Sequence, residues 1–240
     1  MNVNNIYPSI QGEGAMAGAA MVILRLQGCT VGCDFCDTKE TWVADSAYQR
    51  PTMGEAVGTN PHWADVTPDE LVTDILDRYP LYSWVLVTGG EPTEQGELGL
   101  LVSALHEAGY KVALETSGTA LGHIPDGTGD RIRRYQLEQD MAMAFNYAFD
   151  WITVSPKFDF KPVLPEALAL ANEVKFVIGG EAGLGRVQEW LAANPLPPDC
   201  IVSLQPISQS ARATRLCVQT IMDNPQWRLS IQIHKYLNLP

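Results

Sequence analysis

AMVILRLQGCTVGCDFCDT, residues 20–38, runs from seven nearly continuous apolar positions into a loop that holds three of the chain's five cysteines. An apolar run of that length, bounded by a glycine, reads as a strand buried on both faces. Similar runs recur at WVLVT (84–88), KVALE (111–115), DWITVS (150–155), EVKFVI (173–178) and IVSLQ (201–205). Between them PDELVTDILDRY (68–79), ELGLLVSALHEAG (97–109), GLGRVQEWLAA (183–193) and ARATRLCVQTIMD (211–223) carry apolar residues at helical spacing, the last entered through Ser208 or Ser210 as a cap. The alternation predicts an α/β fold around a parallel sheet of about six strands, covered by helices on one or both faces. WRLSIQIHKY (227–236) offers a seventh strand. Two stretches, 41–67 and 119–149, break the rhythm and read as insertions, the second with a helix at 134–148. No repeat or low-complexity segment divides the chain, so residues 1–240 read as one domain.

The bulk numbers narrow the classes. Of 240 residues 46% are apolar and 18% charged, enough to bury a sizeable core. A net charge of −12 argues against a broad electrostatic grip on nucleic acid. No apolar run reaches membrane-spanning length, and MNVNNIYPSIQGEG lacks the basic and apolar regions of a secretory leader. The expectation is a cytoplasmic protein with reduced thiols, where crowded cysteines favour metal over disulfide.

Sheets of this kind hold their chemistry at the carboxyl ends of the strands. The distinctive residues fall there: the cysteine loop after the first strand, TGGEP (88–92) after the second, ETSG (115–118) after the third, SPK (155–157) after the fourth and QPIS (205–208) after the sixth. Singly, each has a plain reading as a turn or a solvated strand end; their alignment on one rim predicts a site. Cys29, Cys33 and Cys36, spaced C-x3-C-x2-C, suit zinc or an iron–sulfur cluster. A structural zinc wants a fourth ligand that this loop does not supply, and three cysteines on a tetrairon cluster leave one iron open. Cys200 and Cys217 read as buried, inert thiols.

C-x3-C-x2-C after a first strand and GGE after a second resemble the radical S-adenosylmethionine (SAM) superfamily, of partial (β/α) barrel fold. IQGEG (10–14), RLQGC (25–29), CDT (36–38), TGGEP, ETSG, VSPK (154–157), LQPIS (204–208) and WRLSIQIHKYLNLP (227–240) resemble, within it, the family of 7-carboxy-7-deazaguanine synthases. The resemblance implies a lyase that contracts 6-carboxy-5,6,7,8-tetrahydropterin to 7-carboxy-7-deazaguanine with loss of ammonia, in queuosine-type deazapurine biosynthesis. It also implies a [4Fe-4S] cluster, SAM used catalytically, Mg2+, a flavodoxin-like external electron donor and a homodimer. The two insertions match least.

By the same resemblance, Cys29, Cys33 and Cys36 hold the cluster and Thr38 the magnesium. Phe35, Cys36, Asp37, Gly90, Glu115, Ser155, Pro156, Lys157, Gln205, Pro206, Ile207 and Ser208 touch SAM. Ile10, Gln11, Gly12, Arg25, Thr88, His234 and the α-carboxylate of Pro240 touch the pterin. An arginine suits a substrate carboxylate because its planar fork donates two parallel hydrogen bonds. For His234 the plain alternative is a structural histidine on a strand, and for Thr38 a hydroxyl capping the turn after Cys36. The rival functions are a radical SAM activase of a partner protein and a non-catalytic metal-binding module.

Overall fold

Ala20–Leu26 forms strand β2, and its side chains divide by parity. Val22, Leu24 and Leu26 enter the main core, while Met21 and Ile23 enter a second, smaller cluster on the opposite face. That two-sided burial is why the run is almost continuously apolar. The computed structural model describes residues 1–56, 58, 61–120, 149–158 and 161–239. Beside β2 lie β5 (Trp84–Gly89), β6 (Lys111–Thr116), β7 (Trp151–Val154), β8 (Glu173–Ile178) and β9 (Ile201–Pro206), successive neighbours and all parallel. These six parallel strands match the partial (β/α) barrel that the resemblance implies.

One face of this sheet is covered by helices. α2 (Pro68–Arg78) buries Leu71, Val72 and Ile75, α3 (Leu98–Glu107) buries Leu101, Val102 and Leu105, and α5 (Glu181–Ala193) buries Val187. The short α4 (Pro165–Ala169) adds Ala167 and Leu168. α2 starts on a capping box, in which Thr67 accepts from the Glu70 amide and the Glu70 carboxylate accepts from that of Thr67. Ser210 caps α6 (Ala211–Asp223) by accepting from the Ala213 amide, as its position predicts.

The other face changes character along the strands. Near their amino ends Met21, Ile23, Leu86 and Ala113 form the small apolar cluster. Toward the carboxyl ends the same parity carries Arg25 opposite Thr88, Glu115 opposite Thr153, and Lys175 opposite Ser203. Period two thus delivers one polar group per strand to a common rim.

Four features depart from the sequence reading. Residues 2–10, with two consecutive asparagines and a proline, form a long strand β1 (Asn2–Ile10), antiparallel to β2. The 41–67 stretch supplies α1 (Met53–Ala56) and two short strands, β3 (Gln49–Arg50) and β4 (Trp63–Asp65), which extend the sheet past β1 to ten strands among the described residues. Of the run 227–236 only β10 (Arg228–Leu229) pairs, parallel to β9; α7 (Ile233–Leu237) follows, so His234 sits on a helix. Cys200 is half-buried, whereas Cys217 is fully buried. The helix expected at 134–148 lies outside the described residues, as does Pro240.

Candidate active site

The loop after β2 is fixed from two sides before any thiol is considered. The Gly28 amide donates to the Thr41 carbonyl at 2.7 Å and the Cys29 amide to the Trp42 carbonyl at 2.9 Å. From the other side, the Glu91 amide donates to the Gly28 carbonyl at 2.9 Å. The turn after β5 therefore lies against the cysteine loop at backbone distance. A Cβ on Gly89 would stand 2.2 Å from the Leu26 nitrogen, and one on Gly90 would stand 2.0 Å from the Gly28 oxygen. Both positions require glycine for close approach, and Gly89 also for its φ of +124°.

Cys29, Cys33 and Cys36 line one cavity of about 200 Å³ with Gly89, Gly90 and Lys157. The Cys36 amide donates to the Cys33 carbonyl at 3.0 Å, closing the turn between the second and third thiols. Burial raises the Cys29 and Cys33 thiols above the ordinary value, with the Lys157 ammonium opposing the rise at Cys33. Among the described residues no three His, Cys, Asp or Glu side chains gather tightly enough to hold one metal ion. The donor set is three soft sulfur ligands facing one cavity as separate donors. It fits a cluster, which takes each thiolate on its own iron, better than a closed single-ion site.

Glu91, the acid of TGGEP, is buried and turned away from solvent. Its carboxylate accepts from the Thr93 hydroxyl at 2.7 Å, the Thr116 hydroxyl at 2.5 Å and the Ser117 amide at 2.8 Å. The Ser117 hydroxyl adds a further bond at 2.5 Å. It ties the turn after β5 to the ETSG segment after β6.

A second cavity of about 320 Å³ adjoins the first. Ile10, Gln11, Gly12, Arg25, Thr88, His234 and Thr38 all line it, so the described residues expected at the substrate do come together, with the expected magnesium ligand among them. Glu13, Asp37, Thr88, Gly89 and Glu115 line both cavities and form their common wall. His234 reaches the cavity because the Ile233 amide donates to the Gly12 carbonyl at 2.9 Å, laying the imidazole where a Cβ on Gly12 would be. Thr38 makes no side-chain capping bond; its hydroxyl stands 3.8 Å from the Cys36 sulfur.

The residues expected at SAM are brought together only in part. Phe35, Cys36, Asp37, Gly90, Glu115, Ser155, Lys157 and Gln205 line the first cavity. Lys157 donates to the Ser155 hydroxyl at 2.7 Å and lies 5.8 Å from the Phe35 ring centre; burial pushes its ammonium below the ordinary lysine value. Pro156 lines a separate cavity of about 420 Å³. Pro206, Ile207 and Ser208 line none of these cavities, and Ser208 holds a left-handed φ of 46°.

Sequence reading missed Glu13, Lys175 and Gln232, polar groups at and beside the common wall. Lys175 donates to Glu13 and, at 3.2 Å, to Glu115. Gln232 donates to Glu13 at 2.6 Å and to Asp37 at 3.2 Å. The one available signal was Lys175 itself, a charge in the middle of the apolar run EVKFVI.

Comparison with known proteins gives concordant likenesses. The radical SAM superfamily profile matches residues 23–157. The chain is 33% identical over 242 residues to a 7-carboxy-7-deazaguanine synthase of Escherichia coli K12, covering 99% of this chain and 98% of that one. It is 33% identical over 237 residues to the Synechocystis protein of the same name, covering 97% and 90%. The crystal structure of QueE from Escherichia coli superposes with a TM-score of 0.78 at 31% identity, over 96% of this chain and 93% of that one.

Proposed function

The chain belongs to the radical SAM superfamily and, within it, to the 7-carboxy-7-deazaguanine synthases, and we propose on that premise that it converts 6-carboxy-5,6,7,8-tetrahydropterin to 7-carboxy-7-deazaguanine with loss of ammonia. The observation that carries this reading is the pairing of two cavities across one wall. The first is lined by three thiols and the glycine turn, the second by Arg25 and the 10–12 segment.

In this reading Cys29, Cys33 and Cys36 hold a [4Fe-4S] cluster and the turn at Gly90 seats SAM. When bound, that pair supplies one-electron reduction and hydrogen-atom abstraction. The chain's own residues do the rest. Gly89 and Gly90 let backbone approach backbone, which holds the turn after β5 against the thiol loop. Arg25, whose guanidinium donates to the Tyr7 hydroxyl at 3.4 Å, receives the substrate carboxylate. Thr88 and the backbone of Ile10, Gln11 and Gly12 border the pterin, with the His234 ring packed against Gly12. Thr38 would offer Mg2+ a neutral oxygen in the cavity that receives the substrate carboxylate, and the ion would there supply positive charge to that carboxylate. A flavodoxin-like donor, a homodimeric assembly and a cytoplasmic setting belong to the same proposal and are supported by the family likeness alone.

The test is direct. Anaerobically reconstituted protein is incubated with SAM, a strong reductant and the tetrahydropterin, and products are separated and weighed by mass spectrometry. Formation of 7-carboxy-7-deazaguanine is expected. A brown, SAM-binding protein that makes none of it would overturn the reading.

A further inference from the structure

Two charged residues have no part in that reading: Glu13, in the wall between the cavities, and Lys175, which meets it from the first cavity. Lys175 stands on β8 between Val174 and Phe176, both in the main core, and is itself 4% exposed. Its ammonium lies between two carboxylates, those of Glu13 and Glu115. Glu115 in turn accepts from the Gln11 amide at 3.2 Å and the Thr88 hydroxyl at 3.4 Å, both in the second cavity. On the other side Glu13 is joined through Gln232 to Asp37, which follows the third thiol. The hydrogen bonds run without a break from the cysteine loop to the substrate wall.

These charges are fixed. Burial would lower the Lys175 ammonium, but the two carboxylates outweigh it and hold the group above the ordinary lysine value. Burial would raise Glu13, and Lys175 with Gln232 holds it below the ordinary carboxylate range. An ammonium and a carboxylate so held are a poor acid and a poor base. What they supply is rigid geometry. A buried ion pair is weak evidence for stability, since packed apolar residues often serve as well, so a role in placing ligands accounts better for its position.

We infer that Lys175 is a positioning residue: through Glu13 and Glu115 it locks the wall shared by both cavities, so that SAM on one side and the pterin on the other tighten each other's binding. The inference rests on the function proposed above and deepens it.

The test is a binding measurement without turnover. Cluster-loaded protein is kept without reductant, and SAM affinity is measured by anaerobic equilibrium dialysis with and without saturating 6-carboxy-5,6,7,8-tetrahydropterin. The parent is expected to bind SAM roughly 5- to 20-fold more tightly when the pterin is present, an ordinary size for coupling between sites. Glu13→Gln/Lys175→Met removes one charge of each sign and leaves the net charge of the wall unchanged. Its ratio is expected to fall to about one. Because each ratio is taken within one protein, losses of stability or loading cancel. Gln232→Met, a neutral change farther along the path, is expected to lower the ratio at least about twofold and serves if the double variant does not fold. Ratios equal to the parent's in the variants that fold overturn the inference, as does a parent ratio of one. A parent that binds SAM but no pterin overturns the substrate reading and takes the inference with it.

Discussion

Gly90 lies so close to Gly28 that a methyl group on its Cα would stand 2.0 Å from the Gly28 carbonyl oxygen and 3.2 Å from the Cys29 Cβ. The nearest obstacle is backbone, which cannot swing aside as a long side chain would. Gly90→Ala must therefore part the turn after β5 from the thiol loop. SAM affinity is expected to fall about tenfold or more, in line with the cost of ångström-scale misplacement. Gly96→Ala is the control: nothing lies within 4 Å of its Cβ. Dialysis against labelled SAM separates the two, and equal affinities would show that the loop yields freely.

Each of Cys29→Ala, Cys33→Ala and Cys36→Ala is expected to abolish the iron–sulfur absorption after anaerobic reconstitution, since each thiolate serves a separate iron. Cys217→Ala, at a fully buried position, keeps the cluster and costs about 1 kcal/mol of stability. The half-buried Cys200 is expected to cost less. Iron content per chain and a thermal melt distinguish these cases.

Glu91→Gln replaces one acceptor oxygen by an NH2 that faces donors from Thr93 and Thr116 or from Ser117. A buried group left facing a like donor costs about 1–3 kcal/mol, so the cluster-free variant is expected to melt several degrees lower. An unchanged melt would mean that the turn rests on its backbone bonds alone.

Thr38→Ala removes a neutral oxygen from the second cavity and leaves the thiols in place. It is expected to weaken the activation by added Mg2+ without changing iron content. A parent enzyme indifferent to Mg2+ would remove this role from Thr38.

The stability of the common wall depends on pH at both ends. Glu13 is held below its ordinary 4.5, so its contribution is complete above 4.5 and is lost as pH falls through the depressed folded value. Lys175 is held above its ordinary 10.5, so its contribution is complete below 10.5 and is lost as pH rises through the folded value. The melting difference between the parent and Glu13→Gln/Lys175→Met should be flat between these limits and move against the parent in acid. A difference independent of pH in acid would show that Glu13 is not held as a carboxylate.

The central strands and large helices were legible because burial on both faces of β2, β5 and β6 leaves little room for polar residues. β1 was not. Beyond Val3 it has only β2 beside it, which lets it carry Pro8, and its buried Asn4 donates its side-chain amide to the Gln27 side chain at 2.9 Å. The run 227–236 alternates like a strand, but with the pattern inverted. Ser230 and Gln232 are buried, while Leu229 and Ile231 are 39% and 37% exposed. The polar parity faces inward because Ser230 accepts from Gly14 and donates to Gln205, and Gln232 reaches Glu13 and Asp37. The rim motifs could be read because each is local to one strand end. Glu13, Lys175 and Gln232 could not, since each is explained by a partner more than a hundred residues away, and no spacing along the chain records that.

The bond from the Ile233 amide to the Gly12 carbonyl sets an order in time as well as in space. Synthesis delivers β1, the thiol loop and the glycine turn within the first ninety-odd residues, long before α7 leaves the ribosome. A nascent chain thus owns all three thiols and the glycine turn while one side of its second chamber, the His234 side, is still missing.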